Sequence, residues 1–303
     1  MKSWKKLGQI FSVRPIDQYL QTHASNPMPV HIIDNIYRIF YSGRDVQNRS
    51  SIGWVDIDLK EKRVKDICKE AVFKFSSNKE DFYSHGVSIG NFYKLHQEIL
   101  ILFMGWQVRE GSHWRGDIGE LVLSSDLSSI DIKSFDPILV QDKEDTLSFS
   151  YPFVMFDQGL YKMWYGSTIS WNSSNEEMIH VIKYAESVDS KIWNKKGTAI
   201  PWTLGIAQAF SRPTVLKDLE KYHMWFSYRE GGGDKYKIGY AHSEDGRNWS
   251  NFLRQGLSTS NEGWDSEMVC YPFVFKHNDE IYMLYNGNDY GREGFGLAIL
   301  ELE

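Results

Sequence analysis

Four arginines stand in short polar breaks between apolar runs: Arg44 in "SGRD", Arg115 in "WRGD", Arg212 in "SRP" and Arg229 in "YREG". Guanidinium groups that converge on one place can hold a carboxylate or a phosphate through paired hydrogen bonds. Carboxyls recur in similar breaks, at Asp45, Asp117, Glu230, Glu267 and Asp289. Two carboxyls facing one bond, one protonated and one ionised, can protonate a leaving group and activate a nucleophile. A second account stays open for both sets, because Arg44 adjoins Asp45 and Arg229 adjoins Glu230, and each pair can simply neutralise itself.

Whether these residues meet depends on the elements that carry them, and those elements repeat. "YPFVMFDQGLYKMWYG" from Tyr151 and "YPFVFKHNDEIYMLYNG" from Tyr271 follow one plan, as do "RPTVLKDLEKYHMWFSY" from Arg212 and "NPMPVHIIDNIYRIFYSG" from Asn26. A fifth copy, "SHGVSIGNFYKLHQEILILFMGW" from Ser84, puts glycine where the others have proline. Each continues into a third strand-like run such as "SSIGWVDID" or "YKIGYAHSEDG". Short apolar or alternating runs bounded by Gly, Asp and Ser are the strand signature, and five units at a period of roughly 60 residues predict an all-β, five-bladed propeller. The predicted blades span 26–75, 81–135, 148–200, 208–255 and 264–303 of a single domain. The stretch "LKEKRVKDICKEAVFKF" reads either as a short helix or as an outer strand. "GFGLAILELE" would leave an open sheet edge, so residues 1–25, through "KKLGQIFSV", are expected to supply a closing strand.

In such blades the start of the innermost strand, the end of the second and the start of the third share one end, because neighbours run antiparallel. That end forms a funnel. Glu267, directly before an apolar inner strand where burial would raise its pKa, is the expected acid, with Asp45 on the neighbouring blade and Asp117 as further catalytic candidates. Ligand contacts are expected from Arg44, His85, Arg115, Arg212, Arg229 and Glu230, with ring faces from Trp106, Tyr151 and Tyr271. Asn286 and Asn288 in "YNGND" would bond hydroxyls or form the turn that Asn-Gly favours. The arginine set predicts an anionic or phosphorylated sugar.

The five "x-P-x-V … Y-x-(M/I)-(W/F/L)-(Y/F)-x-G" units, with "AHSEDGRNW" in the fourth, resemble the five-bladed propeller glycosidases of glycoside hydrolase families 43, 32, 68, 117 and 130. The resemblance covers nearly the whole chain and implies cleavage of a glycosidic bond by two carboxyls across it. It also implies acids near the blade prolines, where this sequence has Asn26, Ser150 and Ser211. A glycan-binding propeller without catalysis, and a phosphorylase or transferase-type protein using phosphorylated sugars, are therefore carried as alternatives.

Composition agrees with a carbohydrate ligand and narrows the rest. The 303 residues are 15% aromatic, with 11 Trp and 17 Tyr, which suits a surface that stacks sugar rings as well as large antiparallel sheets. A net charge of −6 argues against nucleic-acid or anionic-membrane partners. "MKSWKKLGQIF" lacks the apolar core of a signal peptide, so a cytoplasmic location is expected. Two cysteines and nine unclustered histidines give no metal set, and no cofactor is expected. "REGGGDK" lacks the Gly-Lys-Ser/Thr of a phosphate loop.

Overall fold

The computed structural model describes residues 2–108, 110–251 and 253–302. Its strands form five antiparallel meanders. The first blade runs Thr22–Ile33, Ile36–Arg44, Ser50–Asp58 and Arg63–Ile67. The second runs Gly86–Leu95, Glu98–Val108, Trp114–Leu123 and Ile130–Ile132. The third runs Ser148–Asp157, Leu160–Ser170, Ile179–Ser187 and Asn194–Thr198. The fourth runs Ala209–Lys217, Tyr222–Arg229, Lys237–Ser243 and Ser250–Asn251. The fifth runs Cys270–His277, Glu280–Asn286 and Gly294–Leu302, and takes its outer strand, Lys2–Ser12, from the N-terminal end. Each innermost strand touches the next, and Cys270–His277 returns to Thr22–Ile33, so the order is cyclic.

Two boundaries differ from the sequence reading. The closing strand ends at Ser12, and the first blade already begins at Thr22, because Thr22 pairs with Arg44 ahead of the proline motif. The charged stretch after Leu59 resolves as the outer strand Arg63–Ile67 paired with Val55–Asp58, with no helix. Among the described residues, no helix is long and apolar enough to cross a membrane.

The repeated proline has a physical role. Every innermost strand carries a bulge, at Ser25/Met28, Ile89/Phe92, Ser150/Phe153, Ser211/Thr214 and Cys270/Phe273. Proline has no N–H to lose from the ladder there. The residue before it adopts positive φ: 57° at Asn26, 34° at Tyr151, 46° at Arg212 and 53° at Tyr271. Non-glycine residues rarely adopt this conformation, and bulky ones least. In the second blade Gly90 takes the pre-proline position without a positive φ, Asn91 takes that of the proline, and a Cβ on Gly90 would overlap the carbonyl of Pro152 on the next blade.

Side chains stitch the seams between blades. Ser42 Oγ accepts the Ile89 N–H at 3.1 Å, and the Asn91 amide exchanges two 2.8 Å hydrogen bonds with Val154. Ser227 Oγ accepts the Tyr271 N–H at 2.7 Å. Asn286, wholly buried, accepts the Asn26 N–H and donates to the carbonyls of Ala24 and Gly294. Asn286 thus closes the ring rather than meeting a sugar.

Deleting residues 2–12 should test the closure. It would forfeit the burial of Ile10 and Phe11, about 3–6 kcal/mol at about 1.5–3 kcal/mol per large buried side chain, and would leave Gly294–Leu302 as an open edge. The expected outcome is a lower thermal midpoint with aggregation by light scattering. An unchanged midpoint would show that the fifth blade stands without its fourth strand.

Candidate functional site

The left-handed residues turn three side chains, Asn26, Tyr151 and Tyr271, into a cavity of about 370 Å³ at the funnel end. Its wall is rich in hydroxyls: Ser25, Ser42, Ser50, Ser88, Ser150 and Ser211 all contribute. Aromatic surface comes from Trp106 and Trp114 on one side and from Tyr236 and Tyr290 on another. Charge comes from Arg44 and Arg229, and His180 completes the polar set. No Asp or Glu is among the lining residues.

The arginines fall into three states. Arg229 donates to Glu177 Oε1 at 2.8 Å and lies over the Tyr236 ring, 5.0 Å from its centroid. Arg212 is only 2% exposed and lies beneath the cavity, where it donates to the carbonyls of Ile89 at 2.6 Å, Pro27 at 3.0 Å and Gly90 at 3.4 Å. It has no carboxylate partner among the described residues, and burial pushes its pKa down to about 9 against the opposing pull of Tyr151, Tyr271 and Cys270. Arg212 is therefore a cross-brace between the fourth blade and the first two, and does not line the cavity. Arg44 does line it, and among the described residues no hydrogen bond or ion pair engages its guanidinium.

The expected acids lie elsewhere. Asp45 caps its own turn, accepting the N–H groups of Gln47 and Arg49 at 2.8 Å, and pairs with the Arg49 side chain at 2.8 Å. Asp117 is held two-fold by Arg115 at 2.9 and 3.2 Å, which also occupies that arginine. Glu230 pairs with Lys237 at 2.7 Å. Glu267 is exposed, not buried by the strand that follows it, because the residues before Cys270 form a turn whose Glu267 and Met268 N–H groups donate to Asn288 Oδ1. Asn288 is thereby a turn former. His85 lies outside the central cavity, in a shallow depression shared with His113, its ring 6.0 Å from that of Trp106. Trp106 lines the cavity with its indole N–H bonded to Ser50 Oγ at 3.0 Å.

The funnel geometry read from the sequence thus brings Arg44, Arg229, Trp106, Tyr151 and Tyr271 together, along with the three neutral residues Asn26, Ser150 and Ser211. It missed Tyr236, Tyr290, Trp114 and His180. The signal for His180 lay in the start of the third strands, since His180 and Ser50 occupy the same slot, each making the one parallel bridge to the next blade. His180 is 1% exposed; its Nε2 lies 2.6 Å from Ser150 Oγ and its Nδ1 2.8 Å from Thr168 Oγ1. Burial, with help from the charge of Arg229, pushes its pKa down to about 3. Two buried lining atoms, Asn26 Oδ1 and Arg229 Nε, have no hydrogen-bond partner among the described residues. Among the described residues no group of three or more His, Cys, Asp or Glu is placed to hold a metal ion.

The cross-brace reading of Arg212 is testable. Arg212→Met keeps the stem, removes the donors and strands three carbonyls, so denaturant unfolding should show a loss of about 2–4 kcal/mol. A variant as stable as the parent would mark Arg212 as a buried charge kept for a ligand.

No protein-family profile matches the sequence. Two Mycobacterium tuberculosis proteins, the uncharacterized proteins MT1551 and Rv1502, are each 39% identical to it over 302 residues, 99% of this chain and 99% of theirs. Among solved structures, a complex of BT0996 with RGII superposes with a TM-score of 0.77 at 16% identity, covering 97% of this chain and 90% of that one. A thermostable family-43 glycoside hydrolase gives 0.68 at 18% identity over 96% and 91%. A structure from the GH130 family of mannoside phosphorylases, which contains glycoside hydrolases that target beta-1,2 mannosidic linkages in Candida mannan, gives 0.71 at 11% identity over 98% and 93%. At these identities the likeness is one of fold, that of the propeller glycoside hydrolases.

Proposed function

This protein belongs to the family of the Mycobacterium tuberculosis proteins MT1551 and Rv1502, and we propose that it is a carbohydrate-binding propeller whose funnel takes an anionic sugar, with Arg44 holding the acidic group. The observation that carries this reading is that, among the described residues, the Arg44 guanidinium has no partner and no carboxylate lines its cavity. A partly buried cation without a counterion favours an incoming anion, and a carboxylate or phosphate matches its fork. The six serines and Asn26 offer the donors and acceptors that sugar hydroxyls need, and Tyr and Trp faces suit the apolar sides of a sugar ring. Asn26 Oδ1 and Arg229 Nε, unsatisfied among the described residues, would gain partners from a hydroxyl and an anionic oxygen.

The same observation weighs against hydrolysis by paired carboxyls. That chemistry requires two acids flanking the bond, and the carboxylate nearest the cavity through its partners, Glu177, is held by Arg229. Binding is accordingly placed ahead of glycosidic cleavage, and the fold likeness to hydrolases supports the carbohydrate class without supplying the reaction.

Isothermal titration with sugars bearing a phosphate, a carboxylate or no charge tests the proposal. The charged sugars should bind more tightly than their neutral counterparts, and Arg44→Met should weaken them about 10–100-fold, the worth of one charge-assisted hydrogen-bond set. Equal binding of neutral and charged sugars, untouched by Arg44→Met, would overturn it.

A further inference from the structure

We propose that Ser150 and His180 form a nucleophile and base pair that acts on an acyl ester carried by the ligand in the funnel. Three strands of the third blade build the pair. Ser150 sits on the innermost strand opposite Gly166, and Thr168 on the second strand opposite His180 on the third. Ser150 Oγ lies 2.6 Å from His180 Nε2, and Thr168 Oγ1 lies 2.8 Å from Nδ1. In the tautomer that carries its proton on Nδ1, that N–H donates to Thr168 and Nε2 accepts from the serine hydroxyl, the arrangement that activates a serine. Both Ser150 and His180 line the cavity.

The blade has made room for this pair. A Cβ on Gly166 would overlap both Ser150 Oγ and His180 Nε2. The fold does not require the histidine, because the same slot in the first blade holds Ser50, which makes the same parallel bridge. Burial and the charge of Arg229 keep the imidazole neutral. An anionic ligand beside Arg229 would offset the second influence and strengthen the base on binding.

The reaction balances with the ester and water alone. Ser150 Oγ attacks the acyl carbon and its proton passes to His180 Nε2; the carbon–oxygen bond to the sugar breaks, and the sugar oxygen takes that proton. Water, giving up a proton to His180, then cleaves the acyl-serine to a carboxylic acid and restores the hydroxyl. Only the class of ester, one on an anionic sugar, rests on the binding reading above.

A fluorophosphonate probe tests the pair directly, since an activated serine displaces fluoride from its phosphorus. The expected result is one adduct per protein molecule, mapped to Ser150 by peptide mass. Its rate should fall about 100-fold or more in His180→Ser, which copies the first blade. Thr168→Val, which removes only the Nδ1 partner, should also slow it and covers the case in which the histidine variant does not fold. No adduct, an adduct elsewhere, or labelling indifferent to both variants would overturn the proposal. Titration of the wild-type preparation with a phosphorylated sugar separates the two readings: binding without labelling sinks the nucleophile alone, and labelling without binding sinks the anionic-sugar reading alone.

Discussion

The left-handed residue before the blade proline is the constraint from which the rest of the molecule follows. At Asn26, Tyr151, Arg212 and Tyr271 the innermost strand leaves regular pairing for two residues. That departure has two effects. It frees backbone groups that a neighbouring blade then satisfies, as Ser227 does for Tyr271. It also rotates a side chain out of the alternating pattern and toward the axis, so that three of these residues line the cavity and the fourth, Arg212, reaches across to the first two blades. Strain of order 1–3 kcal/mol at each such position is retained where surrounding structure over-determines it. Here one local device serves both ring assembly and construction of a site.

The electrostatics of that site follow from what its neutral positions omit. Asn26, Ser150 and Ser211 face the cavity with no charge, so among the described residues Glu177 alone pairs with the two lining arginines, at Arg229. Arg212 below adds a third cation, whose terminal nitrogens donate to carbonyls while its buried Nε has no hydrogen-bond partner among the described residues. In a partly buried setting such fields are weakly screened. The overall charge of −6 says little about the funnel, whose lining residues include no Asp or Glu.

The architecture was legible in the sequence because its cause is periodic. A proline, an apolar run, a polar turn and an aromatic strand recur, and each marks a bulge, an inner strand, a hairpin and a second strand. The level of the funnel was legible for the same reason, which is why Arg44, Trp106, Tyr151, Arg229 and Tyr271 could be named together. Individual roles were not, because they depend on short-range competition that the sequence does not order. Asp45 lies one residue from Arg44 yet pairs with Arg49 four residues on, closing a tight turn. Asp117 and Arg115, two apart on one strand, project to the same face and satisfy each other. Arg212 shares its pre-proline position and positive φ with Asn26, Tyr151 and Tyr271, but its guanidinium bonds the carbonyls of Ile89, Pro27 and Gly90 instead of lining the cavity. His180 was hidden in an apolar run whose register only the strand pairing fixes.

The pairing of Lys2–Ser12 with Gly294–Leu302 also sets an order of events during synthesis. Lys2–Ser12 must wait for Gly294–Leu302, made about 290 residues later. At translation rates of about 5–20 residues per second, that interval is roughly 15–60 s. Throughout it, four blades can assemble behind the ribosome while an eleven-residue segment containing Trp4, Ile10 and Phe11 has no partner. Closure therefore cannot begin before Gly294–Leu302 has been made, and until then it depends on how long that segment avoids pairing with another nascent polypeptide.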